Sequence, residues 1–194
     1  MEWEIITAAQ QSVAAWSGGE TRELYIAPAG TTYKGRDFTL RLSSASVAAS
    51  HSTFTDLPGW NRWLTLLQGK VRLEHDGQRV VNLQPLQTDS FDGGSRTLSW
   101  GSCQDFNVML AKGSAAQVQV EGWQSDGQKV YLSEVCDRQH FFYVPQGSAC
   151  LHIMGQSLLV PEGALLHLEG AAAPFYLQQQ GMLLHVDIGD GGKD

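Results

Sequence analysis

The chain has 194 residues, 42% of them hydrophobic, and a formal net charge of −7. That is apolar material enough for one large domain or two small ones, while 13 Lys and Arg without a basic run argue against nucleic acid or an anionic membrane as partner. The opening stretch Met1-Glu2-Trp3-Glu4-Ile5-Ile6 carries acids where a signal peptide would carry basic residues, and no stretch reaches the ~20 apolar residues of a membrane span. Three scattered cysteines, Cys103, Cys136 and Cys150, fit a reducing cytoplasm better than a disulfide scaffold.

Amphipathic helix patterns are absent. Short runs rich in Val, Leu, Thr and aromatics recur between Gly, Pro, Asp and Asn. They predict strands at 23–27, 38–47, 62–67, 70–75, 79–83, 89–91, 97–100 and 105–110. A second set follows at 116–122, 129–133, 140–143, 148–154, 156–160, 165–168, 174–178 and 182–188. One helical turn is expected at 53–58. The whole reads as an all-β sandwich or barrel.

The chain also repeats itself. Residues 63–69 (WLTLLQG) match 141–147 (FFYVPQG), and the likeness continues through 70–73 with 148–151 and Gly77 with Gly155. Two copies roughly 78 residues apart indicate a duplicated β-domain rather than a solenoid. The boundary falls near Lys112-Gly113-Ser114, giving units 1–112 and 113–194.

Within the first unit, Trp60, Arg62, Leu64 and Leu66 share one strand face, and Trp63, Thr65 and Leu67 the other. Both faces are apolar enough for a central strand. Arg62 is the exception, because a guanidinium keeps its proton and is costly to bury alone. It needs an acidic partner, a wet cavity or an anionic ligand. On the strand at 38–47, Arg41, Ser43 and Ala45 share a face. Either that face meets water, or Arg41 and Ser43 join Arg62 at the mouth of the barrel as a carboxylate clamp. Asp105 and Asn107 share a face behind Phe106, Val108 and Leu110. One of the two polar residues pairs with a buried Arg, or Asn107 touches ligand directly. Glu20, Thr21 and Arg22 follow Gly18-Gly19, either as a solvated turn or as ligand contacts with Thr21 donating a hydrogen bond. Trp60 is a core aromatic or a stacking wall for a flat ligand. His75, before the Asp76-Gly77 hairpin turn, is expected to be exposed.

Strand, glycine turn, strand, short turn, strand is the look of a cupin, a small jelly-roll barrel. Cupins that hold a metal carry G-x5-H-x-H-x3,4-E-x6-G, whose imidazoles and carboxylate complete an N/O ligand set. With Gly69 as the last glycine of that motif, Arg62 stands where the Glu belongs. The two His positions fall on Asp56 and Pro58, or on Thr55 and Leu57, and the later His position falls near Thr97. No metal and no other cofactor is expected in the first barrel. In the second copy the same count gives Glu134, Cys136 and His140, an incomplete ligand shell or a set of structural residues.

Four motifs in order resemble the HutD/Ves family. They are Gly19-Glu20-Thr21-Arg22-Glu23-Leu24; Phe38 with Leu40-Arg41-Leu42-Ser43 and Ala45; Phe54 with Pro58-Gly59, Arg62, Leu64-Thr65-Leu66-Leu67 and Gly69; and Asp105-Phe106-Asn107-Val108-Met109. The resemblance implies a metal-free bicupin, two tandem jelly-roll barrels, the second of them structural. It also implies a non-catalytic regulator or sensor tied to histidine utilisation, with urocanate or formiminoglutamate as candidate ligands, or a Ves-like stress-response protein. The family's usual opening W-x-N-G-x-G-x-T is altered here, with Trp16 at its Asn and Ser17 at its first Gly. The ligand site expected is Arg62, Arg41, Ser43, Thr21, Glu20, Trp60 and Asn107, binding a small anionic metabolite. The rivals are a metal-independent isomerase or lyase using Glu20 or Asp105 as base, and a module whose exposed sheet makes a homodimer.

Overall fold

The computed structural model describes residues 2–114, 116–125, 131–133, 138–170 and 175–190. Its strands are β1 (Glu2–Ile6), β2 (Ser12–Trp16), β3 (Gly19–Ala27), β4 (Leu40–Val47), β5 (His51–Thr53), β6 (Trp60–Gly69), β7 (Val71–His75), β8 (Arg79–Leu83) and β9 (Thr88–Asp92). They continue with β10 (Thr97–Trp100), β11 (Cys103–Ala111), β12 (Ala116–Ser125), β13 (Tyr131–Ser133), β14 (Arg138–Ile153), β15 (Gln156–Pro161), β16 (Leu165–Glu169) and β17 (Phe175–Asp190). The described residues contain no helix, and the turn expected at 53–58 is instead the end of β5 followed by irregular chain. There Leu57 N–H donates to Gly93 O at 2.7 Å and Phe54 N–H to Thr97 O at 2.9 Å, so neighbouring strands supply the partners a helical turn would have given itself.

Two compact units result, one of residues 11–114 and one of residues 1–10 with 115–194. One break falls after Ser114. The first ten residues go with the other unit, where β1 pairs antiparallel with β16, from Glu2 against Glu169 to Ile6 against Leu165. The sequence gives no sign of this, because a short exposed edge strand has no strong apolar pattern.

The unit of residues 11–114 has a six-stranded sheet, β2-β3-β4-β11-β6-β9, and a four-stranded one, β5-β10-β7-β8. Leu64 and Leu66 of the first pack with Val71, Leu73 and Leu83 of the second and with Phe91. Alternation explains this core, since inward-facing residues recur every second position. In the other unit the order is β1-β16-β14-β17-β12, with β13 on β17 and β15 on β14. Each of β14 and β17 is 16 residues long. The first half of β14 corresponds to β6, its second half to β7, and β17 likewise to β10 followed by β11. The order β4-β11-β6-β9 of one unit is thus like β12-β17-β14-β16 of the other, while β2 and β3 in the first and β1 in the second have no equivalent among the described strands. Gly69 and Gly147, the matched glycines of the repeat, have φ of 90° and 89°. A Cβ on Gly69 would lie 2.6 Å from Ser102 O, and one on Gly147 2.1 Å from Gln180 O. At both bends the backbones approach too closely for a side chain.

Candidate functional site

In the unit of residues 11–114 a cavity of about 220 Å³ opens between β2, β3, β4, β6 and β11. Thr21, Arg41, Ser43, Arg62 and Asn107 line it, together with Trp16, Tyr33, Phe54, Asp105 and Met109. Its polar residues arrive by strand register: β11 lies between β4 and β6, with Met109 between Arg41 and Arg62, and Asn107 between Ser43 and Leu64. Arg62 on β6 and Asn107 two places along on β11 thus project from adjacent strands to the same side.

Arg62 is 6% exposed. Nη2 donates to Asn107 Oδ1 at 3.1 Å, and Nε is buried with no hydrogen-bond partner. Its guanidinium carbon lies 4.8 Å from the centroid of Phe54 and 5.3 Å from that of Phe91, aromatic faces that favour a cation. Burial lowers its pKa to about 10, which still leaves it charged at neutral pH. Among the described residues it forms no ion pair. Asn107 passes the interaction on, its Nδ2 donating to Asp105 Oδ1 at 2.7 Å. Burial pushes Asp105 up to about 6, against the lowering effect of Arg62 and of the Asn107 hydrogen bond.

Arg41 is matched differently. Its Nε donates to Glu23 Oε2 at 2.7 Å and its Nη1 to Ser43 Oγ at 3.0 Å, and its guanidinium carbon lies 4.4 Å from the Tyr33 ring centroid. Arg41 and Ser43 are both buried, so their face of β4 is not a solvated one. Thr21 Oγ1 accepts from Trp16 Nε1 at 3.2 Å at the edge of the cavity.

Two residues expected at the site are elsewhere. Glu20 is exposed on β3 and does not line the cavity, because its neighbour Thr21 takes the inward position. Trp60 donates Nε1–H to Phe38 O at 3.2 Å and stacks on the Phe38 ring at 5.0 Å. It belongs to the small core of Phe38, Leu57 and Met109 rather than to the cavity wall. Conversely, the sequence reading passes over Tyr33, Phe54 and Glu23 as site residues. Phe54 and Glu23 lie within motifs it quotes, but Tyr33 sits in a loop with no periodic signal. His75 is 4% exposed, contrary to expectation. It is fixed between Thr97 Oγ1 and Asp89 Oδ2, each 2.9 Å away, and Arg79 Nη1 donates to Asp89 Oδ1 at 2.6 Å. Thr97, near the expected later His position, is therefore engaged in this separate network. Burial and nearby Arg79 lower the His75 pKa.

A guanidinium cannot ligate a metal, so Arg62 at the carboxylate position does not fit a metal-holding cupin. Among the described residues no group of three His, Cys, Asp or Glu side chains is placed to hold an ion. Glu134 and Cys136 lie outside the described residues. His140 is buried, with Nδ1 3.1 Å from His185 Nε2 and 3.6 Å from Asp187 Oδ1. No helix among the described residues is long and apolar enough to cross a membrane.

Comparison with known proteins places these observations. Protein Ves of Escherichia fergusonii is 38% identical over 96 residues, covering 47% of this chain and 48% of the relative, so the chain spans about half the length of that curated relative. A Pseudomonas aeruginosa PAO1 protein of unknown function, PA5104, superposes with a TM-score of 0.81 at 20% identity over 97% of this chain and 100% of its own. HutD from Pseudomonas fluorescens SBW25 gives 0.71 at 24% identity over 98% and 100%. The bacterial pirin YhhW of Escherichia coli, solved with nickel(II), gives 0.69 at 10% identity over 96% and 98%, a likeness of cupin-like fold alone. Residues 8–185 match the HutD family, and the chain belongs to that family.

Proposed function

We propose that this protein is a bicupin, derived by internal duplication, whose first barrel binds a small carboxylate metabolite and which acts as a HutD-like regulator or sensor without catalysing a reaction. One observation carries the reading. Arg62 is a buried cation with an unpartnered Nε at a cavity, and an anionic ligand is the simplest group to complete it. Ser43, Thr21 and Asn107 orient the ligand, and Phe54 supplies an apolar wall. Arg41 assists from beyond its Glu23 partner. Family membership supports a link to histidine utilisation, with urocanate and formiminoglutamate as first ligands to try. The free thiols Cys103 and Cys150 suit a reducing cytoplasm. Isothermal titration against these acids tests the reading. Binding is expected in the wild type and lost in Arg62→Ala; equal binding by both proteins rejects the site.

A second reading has one observation in its favour. Asp105, buried at the cavity and poised at about 6, has the properties of a proton acceptor near neutral pH. Of the two candidate bases, Glu20 and Asp105, it is the one that lines the cavity, and so the one a metal-independent isomerase or lyase would use. Turnover of a small sugar or amino-acid derivative, abolished in Asp105→Asn with folding intact, would establish it.

A further inference from the structure

The cavity holds two buried charges of opposite sign that do not touch. Arg62 of β6 and Asp105 of β11 are linked only through Asn107, which accepts from one at 3.1 Å and donates to the other at 2.7 Å. Buried opposite charges ordinarily close into direct contact. Here an amide holds them apart, and both line the same hollow. The remaining cation, Arg41, already has Glu23 as its counter-ion. With Asp105 ionised, the charges of Arg41, Glu23, Arg62 and Asp105 cancel.

We propose that the ligand is a zwitterion, a small amino, amidino or guanidino acid whose carboxylate meets Arg62 and whose cationic nitrogen meets Asp105. This rests on the carboxylate reading above and narrows it. A net-neutral ligand leaves the charge balance of the cavity unchanged and gives both separated groups a partner. A plain carboxylate instead brings a second negative charge beside Asp105, which then takes up a proton or repels the anion. The titratable and charged groups around Asp105 agree with this assignment. Arg62 on β6 and Cys103 on β11 act on it directly, while Arg41 on β4 and Tyr33 before β4 share the cavity lining and Glu23 on β3 pairs with Arg41. Burial and Asp105 itself hold the Cys103 thiol up to about 12, so it stays neutral. Tyr33 and Ser43 can hydrogen-bond to either end of such a ligand. A cavity of about 220 Å³ admits only a small member of the class.

The test uses matched acids on the whole protein: propionate against 3-aminopropionate, butyrate against 4-aminobutyrate, and 3-guanidinopropionate. At about pH 7.5, titration calorimetry should show the nitrogen-bearing member of each pair at least about tenfold tighter, the worth of one charge-assisted hydrogen bond. In buffers of different ionisation enthalpy, the plain acids should draw protons from solution and the zwitterions none. Acidifying the wild type to about pH 5.5 should shrink the preference, since Asp105 then mostly carries a proton while every acid of the set still keeps its carboxylate largely ionised. Asp105→Asn should lose the preference while still binding the plain acids. If that variant does not fold, the wild-type acid arm alone decides. Equal binding within the pairs at both pH values overturns the inference and leaves the carboxylate reading standing. Binding of none of these acids overturns it too, while titration with urocanate and formiminoglutamate decides the parent reading separately.

Discussion

The positions that form the cavity in one unit have counterparts in the other, and the two sets are built oppositely. Arg62 on β6 stands opposite Met109 on β11, and His140 on β14 stands opposite Asp187 on β17. Asn107 faces Leu64 in the first unit; His185 faces Phe142 in the second. Two residues earlier come Asp105 and Leu183. The first set encloses a hollow. In the second, the His185 ring stacks on Phe142 at 4.5 Å, with Trp123 at 6.0 Å on the ring stack and His140 at 5.3 Å. The same strand order therefore supports either an open site or a packed aromatic core. The choice lies in a few side chains, not in the barrel.

The largest way to test that contrast is to damage the packed side. Phe142 is fully buried, and Phe142→Ala should cost about 3–5 kcal/mol of stability, read from thermal or denaturant melts. Ligand titration below the melt should be unchanged, because the site lies in the other unit. Loss of binding there would show that the two units do not divide the work.

On the open side the balance is reversed. Arg62→Leu should weaken anion binding by about 2–5 kcal/mol, the cost of removing one member of a buried charged contact. Its melting temperature should fall, but by less than that of Phe142→Ala, since Asp105 can take up a proton once the cation beside it is gone. A melt as depressed as that of Phe142→Ala would mean Arg62 is structural.

The smallest effect is in pH dependence, where the units should slope in opposite directions. Burial, with His140 and Arg138 nearby, holds His185 near 3 against an ordinary 6.5. The unfolded chain then binds the additional proton, so this contribution is present above about 6.5 and fades as pH falls toward 3. Asp105 sits near 6 against an ordinary 3.8. Here the folded state keeps the additional proton, so its contribution is full below 3.8 and fades as pH rises through 6. Melts across this range should show His185→Leu flattening the acid limb and Asp105→Asn flattening the slope near neutrality. Parallel shifts in both variants would contradict the assignment.

Much of this was legible in the residues. Period-two alternation marks most strands, and 79–83 and 97–100 coincide with β8 and β10. The cation at the cupin carboxylate position singles out Arg62, and the Asp105–Asn107 face supplies its hydrogen-bond partner. What escapes the sequence depends on register or on distant contacts. Glu20 and Thr21 are neighbours, and only pairing decides which faces inward. Trp60 finds its partner in the Phe38 carbonyl, and His75 finds Asp89 on the other sheet of its unit. The gaps expected at 144–147 and 179–181 are bridged because β14 and β17 pair with each other almost end to end, through a register irregularity between Tyr143 and Gln146.

The pairing of β1 with β16 has a consequence for the order of events during synthesis. The barrel that contains Arg62 draws all of its strands from one uninterrupted stretch and is complete once residue 114 has left the ribosome. Its companion needs residues 2–6 to meet 165–169, which are made long after them. Contacts so far apart in the chain form late, and β1 stays unzipped on the emerging polypeptide until β16 has been translated.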